Sequence, residues 1–524
     1  MLFRSILALI GAEDPLSACL ANEKAPVELR RRAAESLGLL ARRSRDPEQR
    51  ERIERQLEGV LRGEQLDVRI EVELDLEQLD PVMEEEARKT VDRYVEERRA
   101  AGGLVGLTTE QVEVGRESLL NDIRFQIQDE QLKMKAAGGN APGWKEHDER
   151  LPLLQGASRG LQLAASVELP LLGSGAGRVV PMLTLTALEE GGGLHITTEV
   201  VEVPVWRLPL PEGEQLELVM VPGGSSTIGS PEGEDGRTVY TQALMKCEGV
   251  DVEAQRPVEL QGFALVRQPI SQAQWRAVVE ATEAPGQKPL KAAPGTFRPE
   301  GLWEQHGQPG ALPVDSVSWN VCRQWLGCLN GWLEQQWPEL GGKGEAPQLA
   351  LPSESQWEAA CRAGAATPFH FGATLDQRWA RYDATYTYGW GRRGEYAQRP
   401  ALIGFSGLVN RWGLADLHGQ LQEWCADQWH RDPAALAKGD GSALEVPDSG
   451  LADVPREREN RLLRGGAWFF TPRLARAAVR LGFHPVDLTS TVGLRPGCFA
   501  PPGLLLDRSE EHTSELQSRQ YLVC

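Results

Sequence analysis

The chain has 524 residues, 41% hydrophobic and 25% charged, which is long enough for roughly two to four domains with apolar cores and too apolar for disorder throughout. Its net charge of −19 argues against nucleic acid as a main partner, because it repels a phosphate backbone and no Lys/Arg run interleaved with aromatics offsets it locally. The longest apolar stretches, such as Leu161–Leu172, are interrupted by Gln, Ser and Glu and fall short of the ~20 residues that cross a bilayer, so no membrane span is expected.

In chain order, Met1–Ser5 and, near the other end, Arg508–Ser518 resemble translations of one short-read sequencing adapter in its two orientations. Residues 1–5 and 507–524 are therefore expected to carry no packing face, and the natural chain is expected to continue into upstream domains. In residues 6–61, Ala25, Val27, Leu29, Ala33, Leu37 and Leu40 oppose Arg30–Arg32, Glu35 and Arg42 at helical spacing, which predicts paired amphipathic helices. Pro26–Ala41 resembles one unit of a HEAT-type repeat, with an ordinary helical hairpin as the alternative. One unit cannot bury its own Leu/Ala face, so lost upstream repeats or later helices must cover it.

Residues 62–145 read as a helical and mixed region, with helices predicted over Asp80–Ala101 and Thr108–Ala137 and a break at Gly138–Gly143. Residues 146–210 read as a small β element, with period two from Leu161 to Arg207 and a Pro/Gly hinge at Leu208–Gly213. A domain boundary is placed near residue 210. Cys19, Cys247, Cys322, Cys328, Cys361, Cys425, Cys498 and Cys524 are scattered without CxxC pairs, so neither zinc nor a disulfide framework is indicated. Buried free thiols in a reducing, cytoplasmic compartment are expected.

Residues 211–506 carry a collinear series: Leu216–Arg237, Phe263–Trp275, Leu312–Asn330 with its Pro-Val-x-x-Val-Ser-Trp, Leu349–Gly364, Asn410–Asp427, Arg461–Trp468, Arg476–Arg480 and Val492–Arg495. In this order the segments resemble the formylglycine-generating enzyme and sulfatase-modifying-factor family. The resemblance implies an α+β chain with a C-type-lectin-like domain of that family at the C-terminus, preceded by α-helical and small β segments. Many Gly and Trp residues with long connections fit a domain whose loops pack by their own side chains. Trp319, Trp357, Trp424 and Trp468 are expected core anchors, and Ser353 with Gln356 predicts a helix N-cap.

The family's oxidase activity depends on two copper(I)-binding cysteines, and here the matching positions are Phe470 and Ala475, so no catalytic residue is assigned and copper is not expected. The related iron-dependent sulfoxide synthases need a His-x3-His-x-Glu cluster, which His147, His195, His306, His370, His418, His430 and His484 never form. The resemblance makes Glu423 a candidate calcium ligand in Gly419–Glu423, where Gln420 replaces the family's Asn; a buried salt bridge is the competing role.

Between Phe469 and Arg495 no Lys, Glu, Gln, Met or Trp occurs, the composition that adenine-directed mutation of AAC codons leaves, because any NNC codon excludes those five. The segment resembles the variable region of diversity-generating retroelement target proteins; an ordinary loop of chance composition is the alternative. Phe469, Phe470, Thr471, Leu474, Val479, Leu481, Gly482, Phe483, Leu488, Thr489, Ser490 and Thr491 are then the ligand-binding surface, and Trp468, Arg476, Arg480 and Arg495 its framework. The expected function is a receptor-like module for a protein or small-molecule ligand. The alternative is a thiol oxidase of the family using Arg464, Glu423, Asp427 and His484.

Overall fold

Three helices open the fold: α1 (Glu13–Ala21), α2 (Val27–Arg43) and α3 (Pro47–Gly63). Their apolar residues recur at helical spacing, with Ala34, Leu37 and Ala41 of α2 and Ile53, Leu57 and Leu61 of α3 all buried. In this computed structural model, residues 13–63, 66–71, 142–165, 177–190, 193–237 and 241–499 are described, together with isolated residues between 88 and 116. The last range has gaps at 243–244, 246–248, 283–288, 298–309, 343, 433–438 and 445–459. Residues 1–5 and 507–524 lie outside the described residues, as do almost all of the helices expected over Asp80–Ala101 and Thr108–Ala137.

The Leu/Ala face of α2 is covered by a later helix, α4 (Pro142–Ala165). The two backbones meet at glycines, since a Cβ added at Gly38 would lie 2.2 Å from the Gly160 carbonyl oxygen. Gly38→Val should therefore cost about 1–3 kcal/mol through overpacking. Urea unfolding checks this against Gly59→Ala, where an added Cβ meets nothing within 4 Å, and which should hold or raise stability.

The strand expected from Leu161 begins later. Leu154, Ala157, Leu161 and Ala164 form one buried face that continues the helix to Ala165, and the short Leu161-Gln162-Leu163 alternation does not outweigh it. The strands proper are β1 (Asp67–Glu71), β2 (Arg178–Glu190), β3 (Gly193–Pro209) and β4 (Gln215–Val221). The sheet continues through residue 210. Leu208–Gly213 closes a β3–β4 hairpin, with Leu208 opposite Leu216 in antiparallel register, so the ladder runs straight across it.

Beyond β4 come β5 (Gly224–Ile228), β6 (Arg256–Leu260) and β7 (Phe263–Val266), then α5 (Gln272–Ala281) and α6 (Trp319–Gln336). β8 (Leu349–Ala350), α7 (Glu354–Arg362), β9 (Gln422–Gln428), β10 (Arg461–Arg464), β11 (Leu481–Phe483), β12 (Val492–Gly493) and β13 (Gly497–Cys498) complete the described elements. A seven-stranded sheet runs β1-β3-β4-β7-β13-β8, with β2 on the other edge of β3, and a four-stranded sheet runs β11-β10-β9-β12. Ser353 forms the expected capping box with Gln356 on α7, and Ser271 forms another with Gln274 on α5. Trp275 and Trp325 stack at 5.3 Å between α5 and α6, joining the two helices in one apolar core.

The helical part is fastened to the rest by buried polar contacts, Ser158 Oγ to the Gly407 carbonyl at 2.8 Å and Gln155 Nε2 to the Arg378 carbonyl at 2.9 Å. Cys322, Cys361, Cys425 and Cys498 are buried free thiols, and Cys19 and Cys328 are partly buried ones. No helix among the described residues is long and apolar enough to cross a membrane.

Candidate functional site

The sequence around Phe469 lies on a frame of buried arginines. Arg464, Arg476, Arg480 and Arg495 are all at most 2% exposed. An unpaired guanidinium there would be costly, and each has a carboxylate. Arg476 donates from Nη1 and Nη2 to Glu253 at 2.9 Å each and also reaches Glu234. Arg480 is forked onto Glu354, and Arg464 pairs with Glu358. Arg464 also donates to the carbonyls of Ala477, Ala478 and Val479 at 2.7–2.9 Å, which pins the following segment from inside. Arg495 is bidentate on Glu423, at 2.9–3.0 Å.

These contacts settle the role of Glu423. Oε1 and Oε2 accept from Arg495, and Oε2 accepts from Trp357 Nε1 at 2.6 Å, so the carboxylate is saturated by cationic and neutral donors. It does not fit a calcium site, which needs oxygen lone pairs free to face the ion. Among the described residues no cluster of three His, Cys, Asp or Glu side chains is arranged to hold a metal.

The twelve expected surface positions do not form one surface. Leu474, Val479 and Leu481 are at most 5% exposed and belong to the apolar core, Thr491 is buried at 8%, and Gly482 is buried against Trp429 and Met245. For Leu481 and Gly482 the reason is topological, since β11 pairs with β10 and Leu481 opposes Leu463, while Leu474 lies in a 3-10 turn and Val479 is drawn inward where Arg464 holds its carbonyl. Phe470, Thr471, Phe483, Thr489 and Ser490 are half-buried, and only Phe469 (54% exposed) and Leu488 (62%) stand clear. Framework residues Trp468, Arg476, Arg480 and Arg495 are buried.

Around Phe469 the structure gathers residues that local sequence reading misses. Trp468 is stacked on Tyr396 at 6.1 Å and meets Phe297 edge-on at 5.3 Å, while Phe469 meets Trp468 and Phe470 edge-on at 5.7 and 5.8 Å. Gly466, at φ 71°, lets the chain turn here, since a Cβ would lie 2.7 Å from the Leu474 carbonyl oxygen. The 484–491 loop is tied to this ladder through its backbone. Trp468 Nε1 donates to the Ser490 carbonyl at 3.0 Å, Ser316 N to the Thr489 carbonyl at 3.2 Å, and Asn320 N to the Pro485 carbonyl at 3.1 Å. With the main chain so held, Val486 (57% exposed) and Leu488 point outward. The site is an aromatic and aliphatic surface on a rigid base.

A sulfatase-modifying factor enzyme 1-like domain matches residues 209–496, more than half of the chain. The chain belongs to this family. Its match begins at the β3–β4 hairpin, so β1, β2 and most of β3 extend a sheet that the family domain shares. Relatives at low identity include inactive Cα-formylglycine-generating enzyme 2 of Bos taurus, 24% identical over 337 residues, covering 57% of this chain and 94% of that protein. Hercynine oxygenase of Mycolicibacterium smegmatis is 24% identical over 318 residues, covering 55% of this chain and 63% of that one. The solved structure of Treponema denticola variable protein 1 aligns with a TM-score of 0.37 at 16% identity, over 56% of this chain and 99% of that one.

At the family's cysteine positions, Phe470 and Ala475 carry no sulfur, so a dithiolate copper(I) site does not fit. Beneath Ala475, His418 Nδ1 lies 2.8 Å from its carbonyl oxygen and His418 Nε2 lies 3.7 Å from Cys361 Sγ. Burial pushes the Cys361 thiol up and holds His418 down at about 4, so the pair is neutral at pH 7 and supplies no thiolate. Of the alternative catalytic set, Arg464 and Glu423 stand opposite each other on β10 and β9, but each is locked in another ion pair, and Asp427 accepts from Glu354 N and Leu444 N at 2.7 and 2.8 Å. Burial, then the charge of Glu354, pushes Asp427 up to about 7. His484 is half-buried in the loop that directly follows β11.

Proposed function

We propose that the protein is a non-catalytic, receptor-like binding module of the sulfatase-modifying factor family, and that the surface around Phe469, Val486 and Leu488 takes an apolar patch on a protein ligand. The observations that carry the reading are the exposed Phe469, Val486 and Leu488, with Phe469 edge-on to Trp468 and the loop of Val486 and Leu488 tied to Trp468 Nε1 through the Ser490 carbonyl, beside buried Arg–Glu pairs. Surfaces of this kind mark partner sites more often than catalytic clefts. A rigid base under replaceable side chains also fits retroelement diversification, now narrowed to Phe469, Phe470, Thr471, Leu488, Thr489 and Ser490.

Panning tests this directly. A library of the full chain randomised at those six positions and selected on a folded target such as hen lysozyme should yield saturable binders that keep the parental melting temperature. Failure of every clone to stay folded, or binders that carry no change at these positions, refutes the adaptable surface. Diversification has its own test, a reverse-transcriptase gene and a near-copy of codons 469–491 beside the gene. The non-catalytic part predicts that purified protein loaded with copper(I) yields no aldehyde from a Cys-containing sulfatase peptide, scored by mass spectrometry, and any formylglycine product overturns it.

A further inference from the structure

Arg207 is a buried cation among the described residues whose Nε has no hydrogen-bond partner. It lies on β3 directly opposite Glu217 of β4, yet Glu217 Oε2 is taken by Arg267, whose Nε and Nη2 donate to it at 2.9 and 2.6 Å. Arg207 is 5% exposed, makes no hydrogen bond or ion pair with any described residue, and leaves its Nε buried without a partner. Burial is the larger influence on it and holds the guanidinium down at about 10, against a weaker opposing pull from Glu217.

Arg207 lines a cavity of about 410 Å3 between the end of α2, the middle of α4, the β3–β4 hairpin and the start of α5. That volume suits a small-molecule ligand. Arg42, Arg43, Arg159, Arg207 and Arg267 face it, against the carboxylates of Glu214 and Glu217. Five guanidinium groups thus line it against two carboxylates, of which Glu217 is held by Arg267. Arg159 has the Gly404 carbonyl as an acceptor, with Glu35 and Asp416 in electrostatic range, while Arg42 and Arg43 stand exposed at the mouth. Forked guanidinium donors match phosphate and carboxylate oxygens, and several of them together favour more than one negative charge.

We infer that this cavity binds a small oxyanion of two or more negative charges, of the phosphate-ester or dicarboxylate class, with Arg207 at its floor. The site shares no residue with the surface around Phe469, so it stands or falls independently of the function proposed above. Thermal unfolding of the full chain in rising sodium phosphate, in succinate, and in sodium chloride at matched ionic strength tests it. A saturable rise in melting temperature is expected with phosphate, succinate or both, and no saturable rise with chloride. Arg207→Met should weaken the apparent affinity at least tenfold. Arg42→Gln, at the exposed mouth where folding is not at stake, should weaken it about threefold by removing one screened charge. The inference is overturned if neither oxyanion gives a saturable rise, if chloride reproduces it, or if Arg42→Gln and any folded Arg207→Met bind as the parent does.

Discussion

Arg480→Ala should lower the unfolding free energy by about 3–5 kcal/mol at pH 7, the range for removing one partner of a buried ion pair. Arg480 donates to both oxygens of Glu354 and, from Nη1, to the Val252 and His430 carbonyls at 3.2 and 3.0 Å, so one side chain joins α7 to two distant loops. Without it, Glu354 stays buried with only Arg256 at 3.3 Å and Arg464 at 3.6 Å. Burial raises the Glu354 pKa, but Arg480, Arg256 and Arg464 outweigh it and hold the carboxyl at about 2, below the ordinary 4.5. A depressed folded pKa means that this stabilisation is fully present above pH 4.5 and is lost as the pH falls toward 2. The deficit of Arg480→Ala measured by urea unfolding should therefore narrow across that window. A deficit below about 1 kcal/mol at pH 7 would place the frame elsewhere.

Leu481→Asn should be as severe, at about 3–5 kcal/mol, because it removes buried apolar volume and strands an amide in the apolar core that Leu481 shares with Leu463, Leu474 and Val479. Leu488→Asn, seven residues further along the same composition-biased segment, should stay within about 0.5 kcal/mol. Phe469→Asn should cost about 1 kcal/mol, the worth of its edge-on contacts with Trp468 and Phe470. Thermal or urea unfolding of the three variants decides whether this segment is two things, a core strand and a surface. Equal losses in all three would make Phe469 and Leu488 core residues and remove the binding surface.

The missed features share one cause, the absence of a local signal. Leu481 and Leu488 share one amino-acid composition, but one falls on a three-residue strand and the other on a loop, and three residues are too few for a period to register. Tyr396 and Phe297 meet Trp468 across gaps of 72 and 171 residues (468 − 396 and 468 − 297), and Glu354 meets Arg480 across 126. Val486 escapes notice because it is apolar in a segment of apolar residues, and only the backbone ties at Pro485 and Thr489 turn it outward.

Ordered motifs from Leu216 to Arg495 carry family membership in the sequence alone, because each local element has its own chemistry: the Ser353 cap, the Trp anchors and the glycines of the Arg464–Trp468 turn. The missing sulfur at Phe470 and Ala475 is equally a matter of residue identity. What only the tertiary structure decided is which residues face inward and which charges meet. Glu423 reads either as a calcium ligand or as half of a buried salt bridge until Arg495 is seen to close on it, and Leu208–Gly213 reads as a hinge until β3 and β4 are seen to pair across it. Burial and pairing are set by partners far along the chain, and a side chain's own neighbours in sequence do not encode them.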